Sequence, residues 1–280
     1  MRTVRDRIFW ALCVLAFVII AAPTLAVLAS VIHQAAPDIG LRLITKDMQS
    51  TAGGLLNPII GTLVLLLGVL VVAGTVGVSA GIYLAEYAPP RLGRPLRFFS
   101  EVLAGIPSIV IGYIGYVSLV VGLHWHYSLL AAILALSVLV TPYIVKTTEV
   151  ALRQVPSALR EASAGLGLTR GRTVGRILLP TALPAIVSGL IIALAISTGE
   201  TAPLLFTAGL TGTGFTFHLF NNAEPYLTGV TFTDISIPGS AAHAQAAAAA
   251  FATLVILLVL IFVGRAISRR ARRRTERMAL

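Results

Sequence analysis

Six apolar runs, at about 8–33, 59–83, 98–123, 128–149, 183–207 and 244–265, constrain this chain more than any other feature. A helix rises 1.5 Å per residue, so about 20 apolar residues cross the roughly 30 Å hydrocarbon layer of a bilayer. In lipid every backbone N–H and C=O must be paired internally, so the runs must be helices and the irregular segments must lie in water or against protein. Charged residues make up only 11% of the sequence and sit between the runs, whereas a soluble domain carries about a quarter. The expected fold class is an all-α integral membrane protein of six transmembrane helices, a single transmembrane domain over 1–280. The first run has a basic front like that of a secretion signal. Its apolar core, Ile8 to about Ile32, exceeds the roughly 7–15 residues of a signal peptide, so it is read as an uncleaved first span.

The net charge of +10 invites a nucleic-acid reading. Its placement excludes one, because the cations flank membrane spans as topology requires. Arg2, Arg5 and Arg7, the group Arg91, Arg94 and Arg97, the loop from Arg153 to Arg176 and the basic tail over 265–280 fall on one side of the six spans. Arg42 and Lys46 fall on the other. Both termini are therefore expected in the cytoplasm, and the tail is read as a topology anchor drawn to the anionic lipid bilayer. Cys13 is the lone cysteine, which excludes a disulfide framework. His33, His124 and His126 fall at predicted outer interfaces without the acidic or cysteine companions of a metal site, and read as interfacial anchors.

Local chemistry marks several points along the spans. Gly77 and Gly81 give the second run a small-residue face, read as intrachain packing. In "GIPSIVIGYIGY", Pro107 either breaks the third helix, leaving Ser108 and the next amides as a positive half-helix end, or is an ordinary first-turn proline. Thr141, before Pro142 and Tyr143, either lines a path or satisfies a bend. Glu101 and Glu149 lie near cytoplasmic span ends, where solvation or arginine pairing is expected. The long outer loop near 208–243 is polar, aromatic and glycine-rich, and long enough to contact a partner.

Two features point to function. Glu200 lies inside the apolar stretch "LIIALAISTGETAPLLF", where a carboxylate costs roughly 2.5–3.5 kcal/mol and normally faces protein or a watery cavity. Ser197, Thr198 and Thr201 place hydroxyls beside it. Separately, the cytoplasmic loop 150–182 reads as a helix–turn–helix. Pro156 and Ser157 start it, with Ser157 able to cap. Leu159, Ala162 and Leu166 form an apolar stripe, Gly165 and Gly167 allow a turn, and a second helical stretch runs through Arg172, Arg176 and Ile177 to Pro180. Such a hairpin is too short to bury its own face and suits docking in another protein's groove, or else the membrane surface.

That loop resembles the "EAA" loop of permease subunits of ABC importers. Glu161, Ala162 and Ser163 are followed after three residues by Gly167, and after nine more by Ile177, Leu179 and Pro180. Ser163 stands where alanine is usual. The resemblance implies a type I importer permease architecture, with the loop as a coupling helix seated in a separate ATPase subunit dimer. It also implies no catalytic role, metal or cofactor in this chain itself, ATP and Mg being bound by the partner ATPase. Consistently, neither Lys46 nor Lys146, the two lysines of the sequence, follows a glycine-rich phosphate loop.

"AGIPSIVIG" and "GETAPLL" further resemble the phosphate-specific permeases, the latter the PstA-type subunit. The family then implies import of inorganic phosphate across a prokaryotic cell membrane, with a second phosphate permease subunit and an extracytoplasmic phosphate-binding protein. It implies a substrate pathway past Glu200, Thr201, Ser197, Thr198, Ser108, Pro107 and Thr141. In one respect the chain departs. The family commonly has arginine four residues before the glutamate, and here that residue is Ile196. Without that intrahelical pair Glu200 is left with three readings: a device that selects protonated phosphate over sulfate, a partner for an arginine of the second permease, or a neutral packing residue. The rival functions are a permease for sulfate or molybdate and an ATP-independent anion carrier.

Overall fold

The computed structural model describes residues 2–36, 40–49, 52–211 and 215–278. In chain order these form α1 (Arg2–Ala35), α2 (Leu41–Thr45), a two-residue antiparallel pair (β1, Met48–Gln49; β2, Ala52–Gly53) and α3 (Leu56–Ile82), which ends in a π-helical turn, Tyr83–Tyr87. Next come α4 (Pro90–Ala104), α5 (Ser108–Gly115) with a π-helical continuation Tyr116–Gly122, and α6 (Leu129–Arg153). Then follow α7 (Ser157–Gly165), α8 (Arg170–Thr173) with the π segment Val174–Leu178, α9 (Leu179–Gly199), α10 (Ala202–Thr207), α11 (Leu227–Asp234) and α12 (Ser240–Met278). The fold is all-α, as expected, apart from the short β pair.

Among the described residues, five helical stretches are long and apolar enough to cross a membrane: Val4–Ala35, Leu56–Tyr87, Leu129–Arg153, Arg170–Gly199 and Ser240–Arg270. The third apolar run of the sequence takes another form. It is divided between Pro90–Ala104 and Ser108–Gly122, which meet at 95°. Pro107 has no N–H to continue the first helix and disfavours helical geometry in Ile106 before it. It therefore becomes the N-terminal cap residue of α5, with extended backbone (φ −56°, ψ 135°). The break reading holds, and the first-turn reading does not: Pro107 stands at the bend, one residue before the first turn of α5.

The core is built around α6. Ser128 caps this helix, its Oγ accepting from the Ala131 N–H at 3.3 Å. Helix α3 lies along it so closely that a Cβ on Gly77 would fall 2.7 Å from Ile144 Cβ, and one on Gly81 2.6 Å from Thr148 Cβ. The small-residue face of the second run is thus a seam within the chain. Leu65, Val69, Ala73, Leu136, Val140, Ile144, Ala193 and Leu204 fill the space between α3, α6, α9 and α10. Helix α1 packs chiefly on α12, and its side chains are almost all exposed, so in a membrane its remaining surface meets lipid or another protein.

Candidate functional site

The expected fifth span, 183–207, is also divided. α8, its π segment and α9 make one helix from Arg170 to Gly199. It stops at Glu200, whose backbone is extended (φ −74°, ψ 129°). α10 then starts after Thr201. The cause is Pro203. Its absent N–H would have bonded the Gly199 carbonyl, its ring clashes there, and Gly199 itself is a weak helix former. Glu200 therefore stands at a helix break and not inside a regular helix.

Two interrupted helices meet at this point. A Cβ on Gly112 would lie 2.6 Å from Pro203 Cα, and one on Gly115 2.9 Å from Thr207 Cγ2. α5 and α10 consequently run side by side in the same direction, with the Glu200–Thr201 break toward the Ser108 end of α5. Phe206 packs edge-on to Tyr113, ring centroids 6.1 Å apart. From the far side Thr228 of α11 donates its hydroxyl to the Glu200 carbonyl at 3.1 Å. The Glu200 carboxylate is half-buried and has no hydrogen bond or ion pair among the described residues.

The remaining pathway candidates divide. Ser197 and Thr198 are buried (3% and 2% exposed), and their hydroxyl protons are committed to the Ala193 and Leu194 carbonyls at 3.0 and 2.7 Å. They are not free donors for an anion, contrary to the expectation from sequence, because back-bonding inside the helix uses the proton first. Thr201 and Ser108 are half-buried beside the break, and Pro107 is exposed. Thr141 lies apart from them, in the α3–α6 seam. Its carbonyl would be 3.4 Å from a Cβ on Gly77, and its hydroxyl donates to the Ser137 carbonyl at 2.6 Å, next to the carbonyl that Pro142 leaves unpaired.

The hairpin between α6 and α9 separates its motif into two parts. Glu161 and Ala162 are exposed on α7, as are Leu159 and, just past the helix end, Leu166, the latter 80% exposed. Ser163 is buried, its hydroxyl bonded to the Leu159 carbonyl at 2.6 Å. Pro156, and not Ser157, is the N-terminal cap residue, and no side chain caps the helix. Proline fixes the starting φ instead. The end of α7 is a Schellman motif: the Leu168 N–H bonds Ser163 O, the Gly167 N–H bonds Ala164 O, both at 3.0 Å, and Gly167 is left-handed at φ +70°. Ile177 and Leu179 are half-buried against a small core of Leu152, Val155, Val174, Leu178 and Ala182. Pro180 occupies the first turn of α9. The Ile-x-Leu-Pro part therefore anchors the hairpin, and the α7 part offers a bare apolar face.

Nearby, Glu149 is arginine-paired, accepting from Arg97 Nε at 2.6 Å and from Arg153 at 2.9 Å. Glu101 pairs with Lys146 at 2.9 Å. The long loop after α10 folds back onto the α5–α6 turn. Trp125 meets Phe220 edge-on at 5.1 Å, and the Asn221 N–H bonds the Trp125 carbonyl at 3.0 Å. Buried Glu224 ties that loop internally, accepting from the Thr216 hydroxyl at 2.9 Å. The loop residues 212–214 lie outside the described residues. No group of three or more potential metal ligands occurs among the described residues.

Long apolar helices packed around α6, with a short amphipathic hairpin between two of them, define a multi-pass membrane protein. Residues 77–273 match the family model of the binding-protein-dependent transport system inner membrane component. The chain is 46% identical over 273 residues, 98% of its length and 91% of the relative's, to phosphate transport system permease protein PstA 2 of Mycobacterium bovis. It is 40% identical over 165 residues, 59% of its length and 56% of the relative's, to PstA of Yersinia pestis. Among solved structures it resembles the MetNI methionine ABC transporter in an inward-facing conformation (TM-score 0.63, 22% identity, 78% of this chain and 95% of that one). It also resembles a bacterial ABC transporter involved in alginate import (TM-score 0.65, 16% identity, 95% and 96%). The chain belongs to the binding-protein-dependent inner membrane components, and within them to the PstA-type permeases.

Proposed function

We propose that this chain is one of two permease subunits of an ATP-driven importer that moves inorganic phosphate into a prokaryotic cell. The observation that carries the reading is its 46% identity, over almost its whole length, to a permease named for phosphate transport. The chain performs no covalent chemistry. ATP and Mg bind in a separate ATPase subunit dimer, which grips the bare face of α7 at Leu159, Ala162 and Leu166. An extracytoplasmic phosphate-binding protein delivers the anion on the other side. Lys and Arg placement puts both termini, α4 and α7 in the cytoplasm.

Motion enters at α7 and passes through the Gly167 turn into the helix Arg170–Gly199. At 1.5 Å per residue this 30-residue rod is about 45 Å long, and it ends at Glu200. A push at the cytoplasmic end is thus delivered to the break between α9 and α10, where the backbone has fewer internal bonds to resist it. The free Glu200 carboxylate pairs with a cation of the second permease across a shared cavity. Its own helix supplies none, since Ile196 occupies the position one turn back. The pairing reading is favoured over phosphate selection by Glu200 because Ser197 and Thr198 have no protons left to complete an anion cage.

The test is uptake of labelled phosphate by the complete reconstituted complex, with and without ATP. Glu200→Gln is then assayed under phosphate–sulfate competition. Slower uptake with unchanged discrimination is the expected result; lost discrimination would transfer Glu200 to the selectivity role, and sulfate uptake matching phosphate in the unsubstituted complex would overturn the substrate.

A further inference from the structure

Arg160 immediately precedes the motif residues, yet its side chain points away from the docking face. One guanidinium makes three bonds. Its Nη1 donates to the Val155 carbonyl at 2.7 Å, and its Nη2 donates to the Leu152 carbonyl at 2.8 Å and to Glu86 Oε1 at 2.7 Å. The first two acceptors are carbonyls at and just beyond the end of α6; that of Leu152 also accepts from the Val155 N–H at 3.2 Å, so the guanidinium adds a second bond to it. The third lies on the π-helical turn that ends α3. Side-chain exposure is 30% for Arg160 and 14% for Glu86, so this ion pair is only partly screened by water.

We infer that Arg160 and Glu86 form a transmission tie, a positioning pair through which movement of α7 is imposed on α3 and α6 as well as on α9. This rests on the proposed role of α7 as the element gripped by the ATPase. The connection by main chain alone runs in two directions, back into α6 through 154–156 and forward through Gly167 into Arg170–Gly199. Helix α3 has no such connection to α7. A cavity of about 280 Å³ lies under the hairpin, lined by Glu86, Arg160, Ala164, Leu168, Arg170 and Leu178 among others. Packing therefore does not fully couple α7 to the helices below, and the Arg160–Glu86 bond bridges across that gap. Arginine fits the task better than lysine, because its rigid planar fork can hold two carbonyls and a carboxylate at separate nitrogens, whereas the three donors of lysine share one nitrogen on a flexible stem. The π turn has a matching role: the widened turn sets Glu86 at the end of α3, within reach of α7.

The experiment uses the complete complex in proteoliposomes, with Arg160→Gln, Glu86→Gln and the double substitution. ATP hydrolysis, phosphate uptake and retention of the ATPase on purification are measured for each. The expected result is an assembled complex that still hydrolyses ATP but moves roughly fivefold or more less phosphate per ATP, the lower end of ordinary coupling between sites. The double variant should be no worse than Arg160→Gln alone, because the link that Glu86→Gln removes is already gone there. Arg160→Lys should recover only part of the loss. Unchanged phosphate per ATP in Glu86→Gln overturns the tie while leaving the α7 docking reading intact. Loss of the ATPase from Arg160→Gln also overturns it, since Arg160 would then be a docking residue. ATP-independent uptake by the unsubstituted complex would instead remove the docking reading itself.

Discussion

Gly112 lies against Pro203, so close that a side chain on the glycine would begin 2.6 Å from the proline Cα. Each residue belongs to a helix that a proline has started inside the expected span, α5 after Pro107 and α10 around Pro203. The contact locks the two short helices together beside the Glu200 break. Gly112→Leu must push α10 away or shift the α5 backbone, because the obstructing atom is main chain. Overpacking of this kind costs about 1–3 kcal/mol. A lowered unfolding temperature in detergent, together with lost phosphate uptake, is the expected outcome. Gly115→Ala, which meets the side-chain methyl of Thr207, should be milder.

The turn after α7 makes a sharper comparison. Gly167 has φ +70° and Gly165 does not have positive φ, while neither has a neighbour within 4 Å of a Cβ. Gly167→Ala forces a side chain into the left-handed region at a cost of about 1–2 kcal/mol, whereas Gly165→Ala should be neutral or slightly stabilising. Proteolysis within 165–169 should therefore accelerate in the first variant only.

Asp234 supplies a pH dependence. It ends α11, outside the membrane-crossing helices, with 6% of its surface exposed and its Oδ2 lacking a hydrogen-bond partner. Burial pushes its carboxyl above the ordinary aspartate value. The folded state then holds this proton more tightly than the unfolded chain, so stability declines as pH rises from the ordinary aspartate range through the raised value. Asp234→Asn removes the charge that burial disfavours. Its unfolding temperature should exceed that of the unsubstituted protein at neutral pH, and the difference should vanish on acidification below about pH 4.

Membrane class, all-α fold and the helical hairpin over 150–182 were legible because each rests on a local signal: apolar length, cation placement, and a motif of fixed spacing. Arginine pairing of Glu149 was legible in kind, though its partners Arg97 and Arg153 were not. The break at Glu200 was missed despite a signal in plain view. Pro203 stands four residues after Gly199, and an apolar run is silent about whether its helix is continuous. The same silence concealed the fusion of the hairpin's second helix with α9. Arg160 left no periodic trace, since its meaning depends on carbonyls five and eight residues back and on Glu86, 74 residues away. The hydroxyls of Ser197 and Thr198 read as free in sequence because back-bonding is a rotamer choice.

Whether nucleotide-driven motion enters through α7 is tested most directly by Leu166→Asp in the complete complex. Leu166 is 80% exposed, so a charge there leaves the fold intact and spoils only an apolar docking contact. ATP-driven uptake of labelled phosphate into proteoliposomes is the measurement. The account predicts an unchanged unfolding temperature for the permease, an ATPase that no longer co-purifies, and no uptake. Uptake at the unsubstituted rate by Leu166→Asp, or by any preparation without nucleotide, would contradict it.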